Sequence, residues 1–210
     1  MRKILSILIL INSIGLATAQ QSSDAQCIIK NYLTKIKTEA VQTNFTLKVI
    51  PKNAVTSQSV SGNLIMKGNQ FYLSMEEVKV WFDGTTQWAY FAQNNEVTIT
   101  RPSADELAGT NPMAVLSAYT AKSKISFSKI KRAGFQYIDL VSRNKNDEFA
   151  KISLQFVKNG QQLHAIQVFN KDGSRNELTL SNYKANVTVQ TSTFAFDKSR
   201  YAGVLINDLR

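Results

Sequence analysis

The chain is poor in the residues that most enzyme chemistry needs. Its 210 residues include one histidine, His164, and one cysteine, Cys27. A metal centre needs several clustered donors, and a solitary histidine in the middle of an expected strand brings none with it. A Ser-His-Asp or Cys-His device would have to use that same histidine, and no nucleophile elbow accompanies it. Cys27 has no companion histidine either, and reads as a small, partly buried residue at the edge of a helix. A lone cysteine forms no internal disulfide, so stability must come from burial and backbone pairing. Glycine-rich phosphate loops are missing, since Gly62 and Gly68 are isolated. The acid pairs Glu76-Glu77, Asp105-Glu106 and Asp147-Glu148 are sequence neighbours, and neighbours in a strand point to opposite faces. They read as solvated turn charges. A non-catalytic protein without cofactor or metal is expected.

Acidic residues are also scarce, 15 against 25 lysines and arginines, for a formal charge of +10. The lysines are scattered and no arginine-rich run occurs, which fits a solvated basic surface rather than a nucleic-acid site. A weak pull towards anionic membranes stays open. Long apolar runs are limited to one. Met1-Arg2-Lys3 is followed by Ile4 to Leu16, broken only by Ser6, Asn12, Ser13 and Gly15, and then by Ala17-Thr18-Ala19. This is the layout of a secretory signal over residues 1–19, and its apolar run is too short for an ordinary membrane span. Gln20, not cysteine, follows the cut, so the chain itself is not expected to carry lipid. Residues 20–210 then make one domain of an exported protein.

Along the rest of the chain the hydrophobic period changes once. Asp24 to Lys37 reads as a helix with Asp24 as N-cap and an apolar stripe of Ile28, Ile29, Tyr32, Leu33 and Ile36. After Val41 the period falls to two. Phe45, Leu47 and Val49 alternate with polar residues, then Leu64 and Met66, Phe71, Leu73 and Met75, and Val78, Val80 and Phe82. Lys67-Gly68-Asn69, Asp83-Gly84, Asn94-Asn95, Ala133-Gly134, Asn144 to Asp147, Asn159-Gly160 and Asp172-Gly173 punctuate ten or eleven strands, which tight turns make antiparallel. Ser103 to Lys124 lacks the strand pattern. Asn111-Pro112 starts a short helix there, with Met113, Val115, Leu116 and Tyr119 on one side, running to about Ala121. Its apolar side has the inner face of a curved sheet to cover. Phe71, Tyr72, Trp81, Phe82, Trp88, Tyr90 and Phe91 crowd a short stretch, which suggests a partly open apolar pocket closed by that helix.

Gly62 to Phe71, Trp81-Phe82-Asp83-Gly84-Thr85-Thr86-Gln87-Trp88-Ala89-Tyr90, Asn94-Asn95-Glu96-Val97, Asn111-Pro112 and the closing Phe194-Ala195-Phe196-Asp197 together resemble the periplasmic lipoprotein carrier family LolA. The resemblance covers most of residues 20–210. It implies a mostly β fold with short helices, namely an unclosed antiparallel β-barrel, or strongly curved sheet, with an α-helical lid over an apolar cavity. It also implies a carrier that takes acylated lipoproteins from an inner-membrane ABC transporter to the outer membrane, where an acceptor would receive them, and that works as a monomer without nucleic acid. By motif, Phe45, Leu47, Leu64, Met66, Phe71, Leu73, Met75, Trp88 and Tyr90 fall at the acyl-chain cavity, and Met113, Val115, Leu116 and Tyr119 on the lid helix. Where family members carry an arginine latch before a proline, this chain reads Lys67-Gly68-Asn69. Lys67 is then the candidate latch, a point charge without the planar fork of arginine.

Two other readings use the same residues. One is a protein of this architecture that binds free lipid or senses lipoprotein; the other is a structural β domain with a filled core. The export reading makes its own prediction: N-terminal sequencing of the protein recovered from the periplasm begins at Gln20. A membrane-bound chain that keeps Met1 to Ala19 would contradict it.

Overall fold

The switch in period at Val41 marks where helix gives way to sheet. The computed structural model describes residues 13–53, 56–103, 106–107, 112–160 and 162–210, and the side chains among them other than those of residues 13–21 and 112–115. Helix α1 spans Ser13–Thr38. Ala25, Ile29, Tyr32 and Ile36 recur at spacings of four, three and four and are buried, with Ile28 and Leu33 packed half-buried beside them. The helix does not start at Asp24. No glycine or proline lies between Leu16 and Asp24 to break it, so Asp24 is an interior residue rather than an N-cap. Cys27 falls on the side away from the stripe and is exposed, not partly buried.

Twelve strands follow. The first six, β1 (Val41–Ile50), β2 (Gln58–Lys67), β3 (Gln70–Ser74), β4 (Val78–Phe82), β5 (Gln87–Phe91) and β6 (Glu96–Thr100), form one meander. The next five, β7 (Ser123–Phe127), β8 (Phe135–Ser142), β9 (Phe149–Val157), β10 (Leu163–Asn170) and β11 (Arg175–Ala185), form a second. Helix α2 (Pro112–Lys122) lies between them in the chain. It runs directly into β7, so Ser123 and Lys124, expected outside any strand, are paired with β8. The hairpin turns fall where glycine, asparagine and aspartate allow. At Asp83-Gly84, the carboxylate of Asp83 accepts from the backbone N–H groups of Thr85 and Thr86 at 2.8 Å each, and Gly84 takes a φ of +104° that a side chain would disfavour.

Antiparallel pairing of β1 with β11 joins the meanders into one sheet. Its order is β12-β6-β5-β4-β3-β2-β1-β11-β10-β9-β8-β7. The last strand, β12 (Leu205–Asp208), pairs parallel to β6, and the total exceeds the ten or eleven expected. The sheet does not close, and β12 and β7 are its edges. At the β1–β11 seam the register shifts between Gln42 and Asn44. The buried hydroxyl of Thr43 donates there to the Ser181 carbonyl at 2.9 Å, so the irregularity leaves it satisfied.

Gly62 in β2 faces Phe45 in β1. A Cβ at this position would lie 2.8 Å from the Phe45 ring and collide with the Ser74 carbonyl. Gly62→Ala should therefore destabilise the protein by about 1–3 kcal/mol through overpacking. That corresponds to a fall in thermal midpoint of roughly 2–4 °C per kcal/mol for a chain of this size. An unchanged melt would show that the β2–β3 seam yields more easily than its packing indicates.

Candidate functional site

Cross-strand partners share a face, so the registers sort every strand residue onto one side of the sheet or the other. Met66 pairs with Phe71, and Phe71 with Phe82; Leu64 pairs with Leu73, and Leu73 with Val80. Across β1 the same side continues through Val41, Phe45 and Leu47, and beyond the seam through Leu180 and Leu178. It then runs through Ile166, Leu154, Ile138 and their neighbours to Ile125 on β7. From β7 to β4 this inner face carries no charged side chain among the described residues.

Both helices cover this face. The α1 stripe lies across it between β7 and β2, with Tyr32 edge-on to Phe156 at 5.5 Å between ring centroids. Burial, and then the neighbouring Tyr183, push the Tyr32 phenol above its ordinary range. From α2, Leu116 is 2% exposed and joins the same core, while Tyr119 packs edge-on to Phe149 at 4.6 Å. Among the described residues, hydrogen bonds also tie the helices to the sheet: the Arg143 N–H, just after β8, donates to the Lys122 carbonyl at the end of α2 at 3.2 Å. The Gly68 N–H in the β2–β3 turn donates to the Ile36 carbonyl of α1 at 3.1 Å, and the Ser22 hydroxyl donates to the Ile125 carbonyl at 3.1 Å.

The expected site residues divide on this geometry. Phe45, Leu64, Met66 and Phe71 are buried under the helices on the inner face, and Leu73 and Met75 pack half-buried against the same core. Leu47 is half-buried on that side. Nearby inner-face residues stay open: Val49 is 41%, Val60 46% and Phe91 39% exposed. Among the described residues, the inner face has a covered centre and an apolar rim. Trp88 and Tyr90 do not belong to this face. Trp88 pairs with Trp81 and Tyr90 with Lys79, so both lie on the outer face. Met113 and Val115 sit in α2 with side chains outside the described residues, as does Asn111 entirely. Lys67 is exposed, and no hydrogen bond or ion pair among the described residues involves its side chain. The link at this turn is the Gly68 amide, and it holds α1 rather than α2. The sequence reading also missed the inner-face residues of the second meander, such as Leu154, Leu140 and Ile166, although their strands alternate as clearly as those of the first.

The outer face explains the misplaced aromatics. After β11 the chain crosses this side through a 3-10 turn, Thr191–Phe194, which packs on β3 and β4 and buries Phe194. Phe196 and Tyr201 then pack edge-on to Trp81 at 5.5 and 6.1 Å between ring centroids, and the Tyr201 ring lies 4.4 Å from that of Tyr90. The ammonium of Lys79 sits 5.7 Å above the Tyr201 ring. Tyr201→Ala should unpack this cluster, lowering the thermal midpoint and shifting the Trp81 emission to the red. An unchanged spectrum would mean that Trp81 is shielded without Tyr201.

A family model described as outer membrane lipoprotein carrier protein LolA matches residues 36–197. An outer-membrane lipoprotein carrier protein of Dechloromonas aromatica is 25% identical over 175 residues, 80% of this chain and 82% of that one. Among solved structures, an uncharacterized conserved protein from Thermus thermophilus superposes with a TM-score of 0.58 at 10% identity, covering 88% of this chain and 99% of that one. MucB superposes with a TM-score of 0.50 at 9% identity, covering 84% of this chain and 64% of that one. These two likenesses concern the fold. With the family model spanning the helix end, both meanders and the C-terminal crossing, the chain belongs to the outer membrane lipoprotein carrier family LolA.

Proposed function

We propose that this protein is a periplasmic carrier that holds the acyl chains of lipoproteins against the inner face of its sheet and moves them from the inner to the outer membrane. The observation that carries the reading is the inner face, uncharged from β7 to β4 among the described residues and covered by two helices that hold it mainly through side-chain packing. In this reading an inner-membrane ABC transporter loads the carrier and an outer-membrane acceptor empties it. Phe45, Leu64, Met66 and Phe71 form the floor of the site, Leu47, Leu73 and Met75 its rim, and α2 the movable wall. Residues 1–19 direct export and are removed after Ala19.

The energetics suit a carrier. Each buried methylene gains about 0.8 kcal/mol, so a sixteen-carbon chain gains on the order of 10 kcal/mol when fully covered. The helices cover the same face, and whatever part of them the acyl chain displaces is subtracted from that gain. The net affinity falls to a level from which release needs no local ATP.

Native mass spectrometry of protein purified from the periplasm tests the reading directly. A co-purified acylated polypeptide is expected. Free lipid alone would favour a lipid-binding or lipoprotein-sensing protein of the same fold, and persistently empty protein a structural domain. Leu116→Asp tests the wall. Because α2 can leave the sheet while α1 keeps the centre covered, the cost of the charge is capped at the docking energy of one short helix. The thermal midpoint should fall by a few degrees, at about 2–4 °C per kcal/mol. Displacement of an apolar dye by long-chain fatty acid should weaken at least tenfold. Collapse of the fold together with lost binding would support the filled-core reading instead.

A further inference from the structure

A basic loop on the opposite flank from the C-terminal crossing is absorbed by none of this. It joins β7 to β8 and reads Ser128-Lys129-Ile130-Lys131-Arg132-Ala133-Gly134. From Lys122 to Ile138 the chain holds Lys122, Lys124, Lys129, Lys131 and Arg132 and no acidic residue. Lys129, Lys131 and Arg132 are exposed, and none of them enters an ion pair among the described residues. Ile130 stands between them and is 49% exposed. Beneath the loop lies a crevice of about 450 Å³ walled by Phe127, Phe135 and Tyr137 together with Lys131 and Arg132.

The loop is held in shape. Its entrance is fixed by the Ser128 N–H to the Tyr137 carbonyl at 2.9 Å, and its exit by the Phe135 N–H to the Arg132 carbonyl at 3.3 Å. The Lys158 N–H donates to the Gly134 carbonyl at 2.9 Å. That bond brings a further exposed lysine alongside. Unneutralised cations in one small fixed loop concentrate positive potential at a sheet edge instead of spreading it over the surface.

We propose that this loop is a docking site for an anionic lipid-bilayer surface. Cations flanking a single exposed apolar side chain match the two layers of a membrane interface. Lysine and arginine heads meet the phosphates while their stems lie along apolar surface, and Ile130 enters the boundary between headgroups and acyl chains. One short apolar anchor and a few cations give weak, salt-sensitive, reversible attachment rather than insertion. Phe127 also packs against the inner core, but the cations and Ile130 lie in the loop outside the covered face, and membrane docking does not depend on what that face binds.

Vesicle flotation of the purified exported protein tests the proposal. Vesicles of phosphatidylcholine doped with phosphatidylglycerol should bind it at low salt, at least tenfold more tightly than vesicles of phosphatidylcholine alone, and the binding should fade as salt is added. The triple variant Lys129→Gln, Lys131→Gln, Arg132→Gln should lose at least tenfold. Ile130→Ser should lose severalfold while keeping the salt dependence. A control triple, Lys48→Gln, Lys52→Gln, Lys184→Gln, removes the same charge from exposed positions on β1, the turn after it and β11, and should bind as the parent does. All variants should melt at the parent's temperature, since every altered side chain is exposed or half-exposed. Equal losses in the two triples would overturn the proposal in favour of net charge alone. Failure to bind either vesicle would overturn it too, including the case where the loop instead captures an acidic polypeptide such as polyglutamate.

Discussion

An open sheet whose inner face is uncharged from β7 to β4 has to keep that face out of water, and the rest of this fold follows from the requirement. A closed barrel would pack the face against itself. Here the two edge strands, β7 and β12, are far apart in the strand order and do not pair, so the cover must come from elsewhere in the chain. Helix α1 supplies most of it, placing Ile29, Tyr32 and Ile36 on the centre of the sheet. Helix α2 supplies more, and its position in the chain is the economical one. The connection from β6 to β7 has to travel from one end of the sheet to the other, and laying it on the inner face as a helix satisfies its backbone internally while burying Leu116.

The two faces are covered in physically different ways. On the outer side the C-terminal crossing is fastened by interlocked rings, Trp81, Phe196, Tyr201 and Tyr90, and ends by adding a hydrogen-bonded strand to the sheet. On the inner side the helices rest mainly on side-chain packing, with the Gly68–Ile36, Arg143–Lys122 and Ser22–Ile125 hydrogen bonds as links to the sheet among the described residues. Apolar packing is non-directional, and an acyl chain of adequate length can replace a helix side chain on the same surface at similar free energy per unit area. A strand held by a ladder or a ring held in a stack has no such substitute. In the proposed carrier this asymmetry makes the inner cover the exchangeable one, and a binding-competent state that is only a minor fraction of the population would lower the apparent affinity in proportion.

Much of the fold could be read from the chain. The turn residues located the hairpins because only certain dihedrals close a tight turn, and the period change at Val41 separated helix from sheet. Proline after Asn111 marked the neighbourhood of α2. The pairing of β12 could not be read, since its four residues are too few to show alternation and its parallel partner lies far away in sequence. Within the candidate site the error was one of parity. Trp81 and Phe82 are adjacent, so they cannot share a face. With Phe82 inside, the turn through Asp83, Gly84, Thr85 and Thr86 pairs Gln87 with Phe82 and sends Trp88 outward. Counting residues across that turn would have placed it; aromatic content alone could not. At Lys67 the described link is made by the next residue, Gly68. A backbone amide can tie a turn to a helix end, and no side-chain pattern announces it.

The central claim is that an acyl chain and the helices share one surface. Isotope-filtered nuclear Overhauser measurements on the protein bound to a palmitoylated peptide test it most directly. The account predicts contacts from the acyl methylenes to the methyl groups of Leu47, Leu73 and Met75, with loss of contacts between Leu116 and the sheet. Contacts confined to the outer-face rings of Trp81, Tyr90 and Tyr201, or a bound chain that leaves every helix–sheet contact in place, would contradict it.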